Sequence, residues 1–217
     1  MSTTRHSAAE LELRFDRLQA HITAQIPRFE IRSKRDSALM RAIDRVLFFN
    51  SHFMDRYVTT FYPRVYIPDG PWQQRSIESR ISVLAHEYVH LRDRQRLGWS
   101  FNLIYLSPQI FSLCAVGAVW NIGWLLALLF LLPWPSPGRT WLELRGYTMS
   151  IAMHWSLCGE RANLSWIEQQ FTGSNYYWMW PFRGTLKRWV RQAAEAVEAG
   201  ESPLREVTEV MEALEPA

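Results

Sequence analysis

From Leu97 to Gly138 the chain carries no charged side chain, and within that interval Ile110 to Leu132 is almost wholly apolar. Such a segment must leave water, into a protein core or into lipid. Its 23 residues meet the roughly 20-residue requirement of a membrane-spanning helix. The flanks narrow the choice. Arg92, Arg94 and Arg96 precede the interval and Arg139 and Arg145 follow it, so the positive-inside bias favours an even number of crossings or none. Midway, Trp120-Asn121-Ile122-Gly123-Trp124 contains an Asn and a Gly that read as a turn between two shorter apolar helices. The expected form is a helical hairpin over residues 103–133. It dips into a membrane from the cytoplasmic face, or packs on the rest of the chain and a partner, with tryptophans suited to an interfacial position.

The remainder is balanced. With 217 residues and 48% hydrophobic content the chain can bury one core, so a single domain over residues 1–217 is expected. Its 24 Lys and Arg against 21 Asp and Glu leave a net charge of +3, with cations scattered among acids, which argues against a nucleic-acid partner. Cys114 and Cys158 have neither disulfide-framework nor metal-cluster spacing, and Met1 to Glu10 is polar, unlike a secretory signal. These readings favour a cytoplasmic setting.

Helical periodicity marks Leu11, Phe15, Leu18 and Ile22 before Pro27, and again Ser37 to Phe49 with Leu39, Ile43 and Leu47 on one face. Tyr57 to Ile67 is rich in aromatic and β-branched residues and is interrupted by Pro63, which predicts a hairpin or an edge strand. After Pro68-Asp69-Gly70-Pro71 a helix is expected from Ser76 to Arg96, stopped by Gly98. Another follows the break at Pro133, Pro135 and Pro137. Aromatics crowd residues 176–182, an amphipathic helix spans Thr185 to Ala199, and a last helix begins near Leu204.

The chemistry lies in His86-Glu87-Tyr88-Val89-His90, an HExxH pattern. On a helix, residues four apart share a face, so both imidazoles reach one zinc ion while Glu87 stands beside it. A zinc-bound water has its pKa lowered toward about 7, and Glu87 can take its proton as the oxygen attacks a polarised carbonyl. The residues around the motif, Val83, Leu84, Ala85, Val89 and Leu91, are uncharged, as a half-buried metal helix requires.

On this motif, with a strand-rich segment upstream and a glutamate helix downstream, the chain resembles the gluzincin-like HExxH metallopeptidases in their minimal cytoplasmic form, over roughly residues 55 to 155. The resemblance implies a zincin-like fold, an edge strand that pairs with an extended peptide, and zinc-dependent hydrolysis of peptide bonds. The metzincin pattern is excluded, because it asks for Gly at Asp93 and His at Arg96. The third ligand is expected at Glu143, with His154, eleven residues on and on the same face, as the competitor. Tyr147, one turn beyond Glu143, is placed to donate to an oxyanion or simply to pack. Asp93 orients a ligand imidazole or, more commonly for such a residue, pairs with an Arg. Many gluzincins carry an Asp shortly after the glutamate ligand; here the segment reads Arg145-Gly146-Tyr147, which puts Glu143 in question rather than HExxH.

The expectation is therefore an α+β, mostly helical, zincin-like domain. A small strand region precedes the HExxH helix, and the apolar hairpin is inserted between it and the third-ligand helix. His86, His90 and Glu143 hold zinc, Glu87 and Tyr147 act on a peptide or protein substrate, and residues 103–133 offer membrane contact. The alternative is a non-catalytic interaction or structural protein on the same fold, associated with a membrane or protein partner.

Overall fold

The computed structural model describes residues 6–46, 52–174 and 177–215. The first helix, α1 (Ala8–Gln25), starts where the Ser7 side chain accepts from the Glu10 amide at 3.2 Å and ends just before Pro27. Leu11, Phe15, Leu18 and Ile22 form its buried stripe, as their spacing predicts. Strand β1 (Glu30–Ser33) leads to α2 (Ala38–Val46). The expected end of that helix, Leu47 to Phe49, lies outside the described residues, as does Tyr176 of the aromatic cluster. The phase of α2 also differs from expectation. Met40 is fully buried against Phe53 and Tyr66, whereas Leu39 is exposed, because the helix turns its Met40–Ile43 side toward the sheet.

Strands β2 (Thr59–Phe61) and β3 (Arg64–Ile67) form the hairpin expected here, with Pro63 in the connecting turn where it removes no ladder bond. The strand order is β1-β3-β2, antiparallel between β2 and β3 and parallel between β1 and β3. The parallel partner is not signalled in the sequence: β1 is short and polar, and α2 supplies the crossover that parallel pairing needs. Thus β2 is an edge strand beside the next helix.

That helix, α3 (Ile77–Leu97), begins at the Ser76 cap and stops at Gly98, whose φ of 57° an L side chain would resist. It is the axis of the core: Leu84, Ala85, Tyr88, Val89 and Leu91 are at most 1% exposed. Helix α5 (Pro137–Cys158) opens with Pro at its first position, closes on a left-handed Gly159 and packs along α3. Helices α6 (Leu164–Thr172), α7 (Arg183–Glu198) and α8 (Arg205–Leu214) complete the helical layer. The coarse expectation holds: the chain is mostly helical with one small sheet.

Between α3 and α5 the charge-free interval forms a short helix, α4 (Ser100–Leu106), and then two antiparallel arms, Gln109–Val119 and Ile122–Leu131, reversed at Trp120-Asn121. Asn121 makes the turn by accepting from the Gly123 amide at 2.8 Å. Two short apolar helices are expected here, and both arms are helical, of the 3-10 kind, tighter and longer in rise per residue than an α-helix. Phe111 meets Phe130 between them with ring centroids 5.5 Å apart. The first arm leaves α4 at 93°, and no single helix among the described residues is long and apolar enough to cross a membrane.

Candidate metal centre

The HExxH turn lies in the middle of α3, and its two histidines point at α5. His86 and His90 are 7% and 6% exposed, and their Nε2 atoms stand 3.1 Å apart. Two ring nitrogens at that distance have a single proton to share or a cation to share. Opposite them Glu143, 1% exposed, places Oε2 at 3.6 Å from His86 Nε2 and 3.8 Å from His90 Nε2, too far for strong hydrogen bonds. Oε2 has no hydrogen-bond partner although it is buried. Ligands at about 2.0–2.1 Å from a tetrahedral zinc are separated by about 3.3 Å. The triangle of 3.1, 3.6 and 3.8 Å is close to that size, and its N, N, O donor set is one that zinc accepts. The donors therefore fit the ion, and the orphaned carboxylate oxygen is the atom it would satisfy.

Charge follows the same geometry. Burial pushes the His90 pKa down, but the neighbouring Glu143 carboxylate outweighs it and the net shift is upward. Burial alone would raise the Glu143 pKa; the two histidines reverse this and hold it well below the usual carboxylate range. An ionised carboxylate so deeply buried needs a positive partner.

His86 and Glu143 are held from behind, whereas His90 Nδ1 is buried without a hydrogen-bond partner. Ser150 Oγ lies 3.1 Å from His86 Nδ1, which fixes the ring so that Nε2 faces inward. Tyr105, on α4, donates to Glu143 Oε1 at 2.5 Å, and burial together with that carboxylate raises the phenol pKa. Gly146 permits the close approach of α5: a Cβ there would stand 2.6 Å from the His86 imidazole. The segment Arg145-Gly146-Tyr147 thus brings a glycine, not a carboxylate, against the His86 ring.

His86 and Glu87 also line a cleft of about 600 Å³, with Tyr147, Ser150, His154 and Trp166. His90 and Glu143 stay behind this wall, so the site opens on the side of Glu87. Half-buried Glu87 accepts a hydrogen bond from Thr60 Oγ1 of β2 at 2.6 Å, which ties the edge strand to the helix. Lys34, fully buried, donates to the Phe53 carbonyl at 2.5 Å; burial lowers its pKa to about 8 against the pull of the Glu87 charge. Tyr147 is 5% exposed, its ring edge-on to His86 with centroids 4.9 Å apart, and it packs on Phe171.

The competing residues fall elsewhere. His154 is on the cleft wall, about 16 Å along α5 from Glu143, and is outside the His86, His90, Glu143 group. Asp93 pairs with Arg145, whose Nε is 3.1 and 3.0 Å from the two carboxylate oxygens. Arg145 and Arg96 both reach the buried Glu206 of α8, at 3.4 and 2.5 Å, so Asp93 belongs to a network that joins three helices and bonds to Arg145 rather than to an imidazole.

Tyr105, Ser150, Thr60 and Lys34 were not singled out by sequence. Compared with known proteins, the chain matches no family model, no curated protein and no solved structure.

Proposed function

We propose that this chain is a zinc-dependent metallopeptidase with a zincin-like site, in which His86, His90 and Glu143 hold the ion and Glu87 is the general base. The observation that carries the reading is the convergence of three buried donors, one of them an orphaned carboxylate oxygen, behind a cleft wall that presents Glu87. A zinc ion held there would supply Lewis acidity, acidifying a water and polarising the substrate carbonyl.

The chain's own residues supply the rest. Glu87 takes a proton from the attacking water as its oxygen bonds to the carbonyl carbon. The same carboxylic acid then returns that proton to the departing amine as the C–N bond breaks. Thr60, bonded to Glu87 Oε2, fixes the carboxylate in the cleft. Tyr147 borders the same space and is the candidate donor to the carbonyl oxygen as it becomes tetrahedral. Tyr57 and Val58 line the cleft just before β2, so a peptide added to the free edge of that strand would run past Glu87.

The test is hydrolysis of an unstructured protein substrate by zinc-loaded wild type and Glu87→Gln. Loss of a base of this kind reduces the rate about 10²–10⁴-fold, with zinc content unchanged. Undiminished hydrolysis by Glu87→Gln contradicts the mechanism. A wild type that holds zinc yet cleaves nothing favours the non-catalytic alternative.

A further inference from the structure

We propose that the charge-free hairpin is a bilayer-inserting element that dips from one side into an anionic lipid surface. Its exposure is the first argument. Neither arm contains a buried residue, and Leu113, Val116, Val119, Trp120, Ile122 and Leu126 are 68–83% exposed. A helix that docks on a protein shows one apolar stripe and a polar back; apart from Gln109 and Ser112 near the root, these arms are apolar around their circumference, which matches a solvent that is itself apolar in every direction. Their backbone is hydrogen-bonded internally as 3-10 helix, as immersion in hydrocarbon demands.

Length and topology give the depth. At about 2.0 Å rise per residue an arm of this kind extends about 22 Å, short of a hydrocarbon core about 30 Å thick. The hairpin returns to its starting side, as it must if α3 and α5 are to face each other across the metal centre.

The base of the hairpin carries the groups that belong at a lipid headgroup layer. Trp99, Trp134, Trp178 and Phe182 are exposed there. The segment that carries the last two is tied to the hairpin root: Tyr177 donates to the Leu131 carbonyl and the Ser136 amide to the Met179 carbonyl. Aromatic residues at this level form an interfacial belt. No carboxylate occurs between Asp93 and Glu143, while Arg94 precedes the hairpin and Arg183 and Lys187, both exposed, follow Phe182. That balance complements anionic headgroups.

The experiment is flotation of the full-length protein with phosphatidylcholine vesicles, with and without phosphatidylglycerol. Native Cys114, exposed in the first arm, serves as a depth probe for a water-soluble maleimide, located by peptide mass. The expected result is flotation that is stronger on anionic vesicles, with Cys114 protected when they are present. Leu126→Asp, on a side chain 69% exposed, should weaken partitioning about a hundredfold while leaving far-UV circular dichroism and zinc content unchanged. Protein that stays in the aqueous phase with Cys114 fully reactive overturns the proposal. So does a self-association that Leu126→Asp dissolves without any vesicle binding, since a second copy would then cover the hairpin. Equal binding to neutral and anionic vesicles overturns the assignment of an anionic surface.

Discussion

The pair of helices α3 and α5 and the hairpin between them are both built largely from uncharged residues, yet they end in opposite places. In α3 and α5 apolar side chains surround a few polar groups at helical intervals, and the sides that face each other are buried: His86, His90, Glu143 and Asp93 sit among Leu84, Val89 and Leu142. In the hairpin the polar side chains are confined to the turn and to Gln109 and Ser112 near the root of the first arm, and its large apolar side chains face outward. Composition alone states that a segment avoids water. The spacing of its polar inclusions states which alternative it takes, because a core must be matched to neighbours on particular faces whereas lipid asks nothing of register. Tyr105 is where the two regions meet, on the helix that roots the hairpin and hydrogen-bonded to Glu143.

The sharpest way to break this comparison is the same substitution in both regions. Leu142→Asp, at a position with no exposure, should cost about 4 kcal/mol or more by burying an unpaired charge. Leu126→Asp should change stability in water by no more than about 0.5 kcal/mol. Denaturant titration of both reads the difference, and equal losses would mean that the hairpin is packed in solution.

Gly146→Ala forces a methyl against the His86 ring, at a cost of about 1–3 kcal/mol, and should weaken zinc binding together with stability. Unchanged zinc affinity would show that the two helices do not approach this closely. Tyr105→Phe removes the donor to Glu143 Oε1 and should lower zinc affinity about 10–100-fold, the usual cost of losing a group that holds a ligand; competition with a chromophoric chelator measures it. The smallest expected effect is at Lys34. Its folded pKa of about 8 lies below the ordinary lysine value of 10.5, so between those pH values the unfolded chain binds more protons and stability rises with pH. Wild type should gain on the order of 1 kcal/mol from pH 8 to 10 relative to Lys34→Met; parallel pH profiles would place the Lys34 ammonium in water.

Much of the site was legible because it rests on local spacing. The limits of α3 follow from Ser76 and Gly98, His86 and His90 share a face by helical geometry, and Glu143 sits on the helix that the proline break announces. What escaped the sequence depends on contacts between distant segments. That Gly146 makes room for the His86 ring shows only once the two helices are packed, and nothing near Tyr105, Ser150 or Lys34 shows which carboxylate, ring or carbonyl each will meet. The same holds for the fold. The hairpin of β2 and β3 carries its own signal, but the parallel pairing of β1 is set by a partner about thirty residues away, as Glu30 opposite Arg64 shows. The burial of Met40 in place of Leu39 is a rotation of α2 that only the packed sheet defines.

The central claim is that His86, His90 and Glu143 form one metal site, and elemental analysis of the purified protein tests it most directly. The account predicts about one zinc per chain in wild type after reconstitution, stoichiometric with a three-donor site, and loss of that zinc in both His86→Ala and Glu143→Ala. Wild type that takes up no zinc, or a Glu143→Ala variant that retains it at undiminished affinity, would contradict the account.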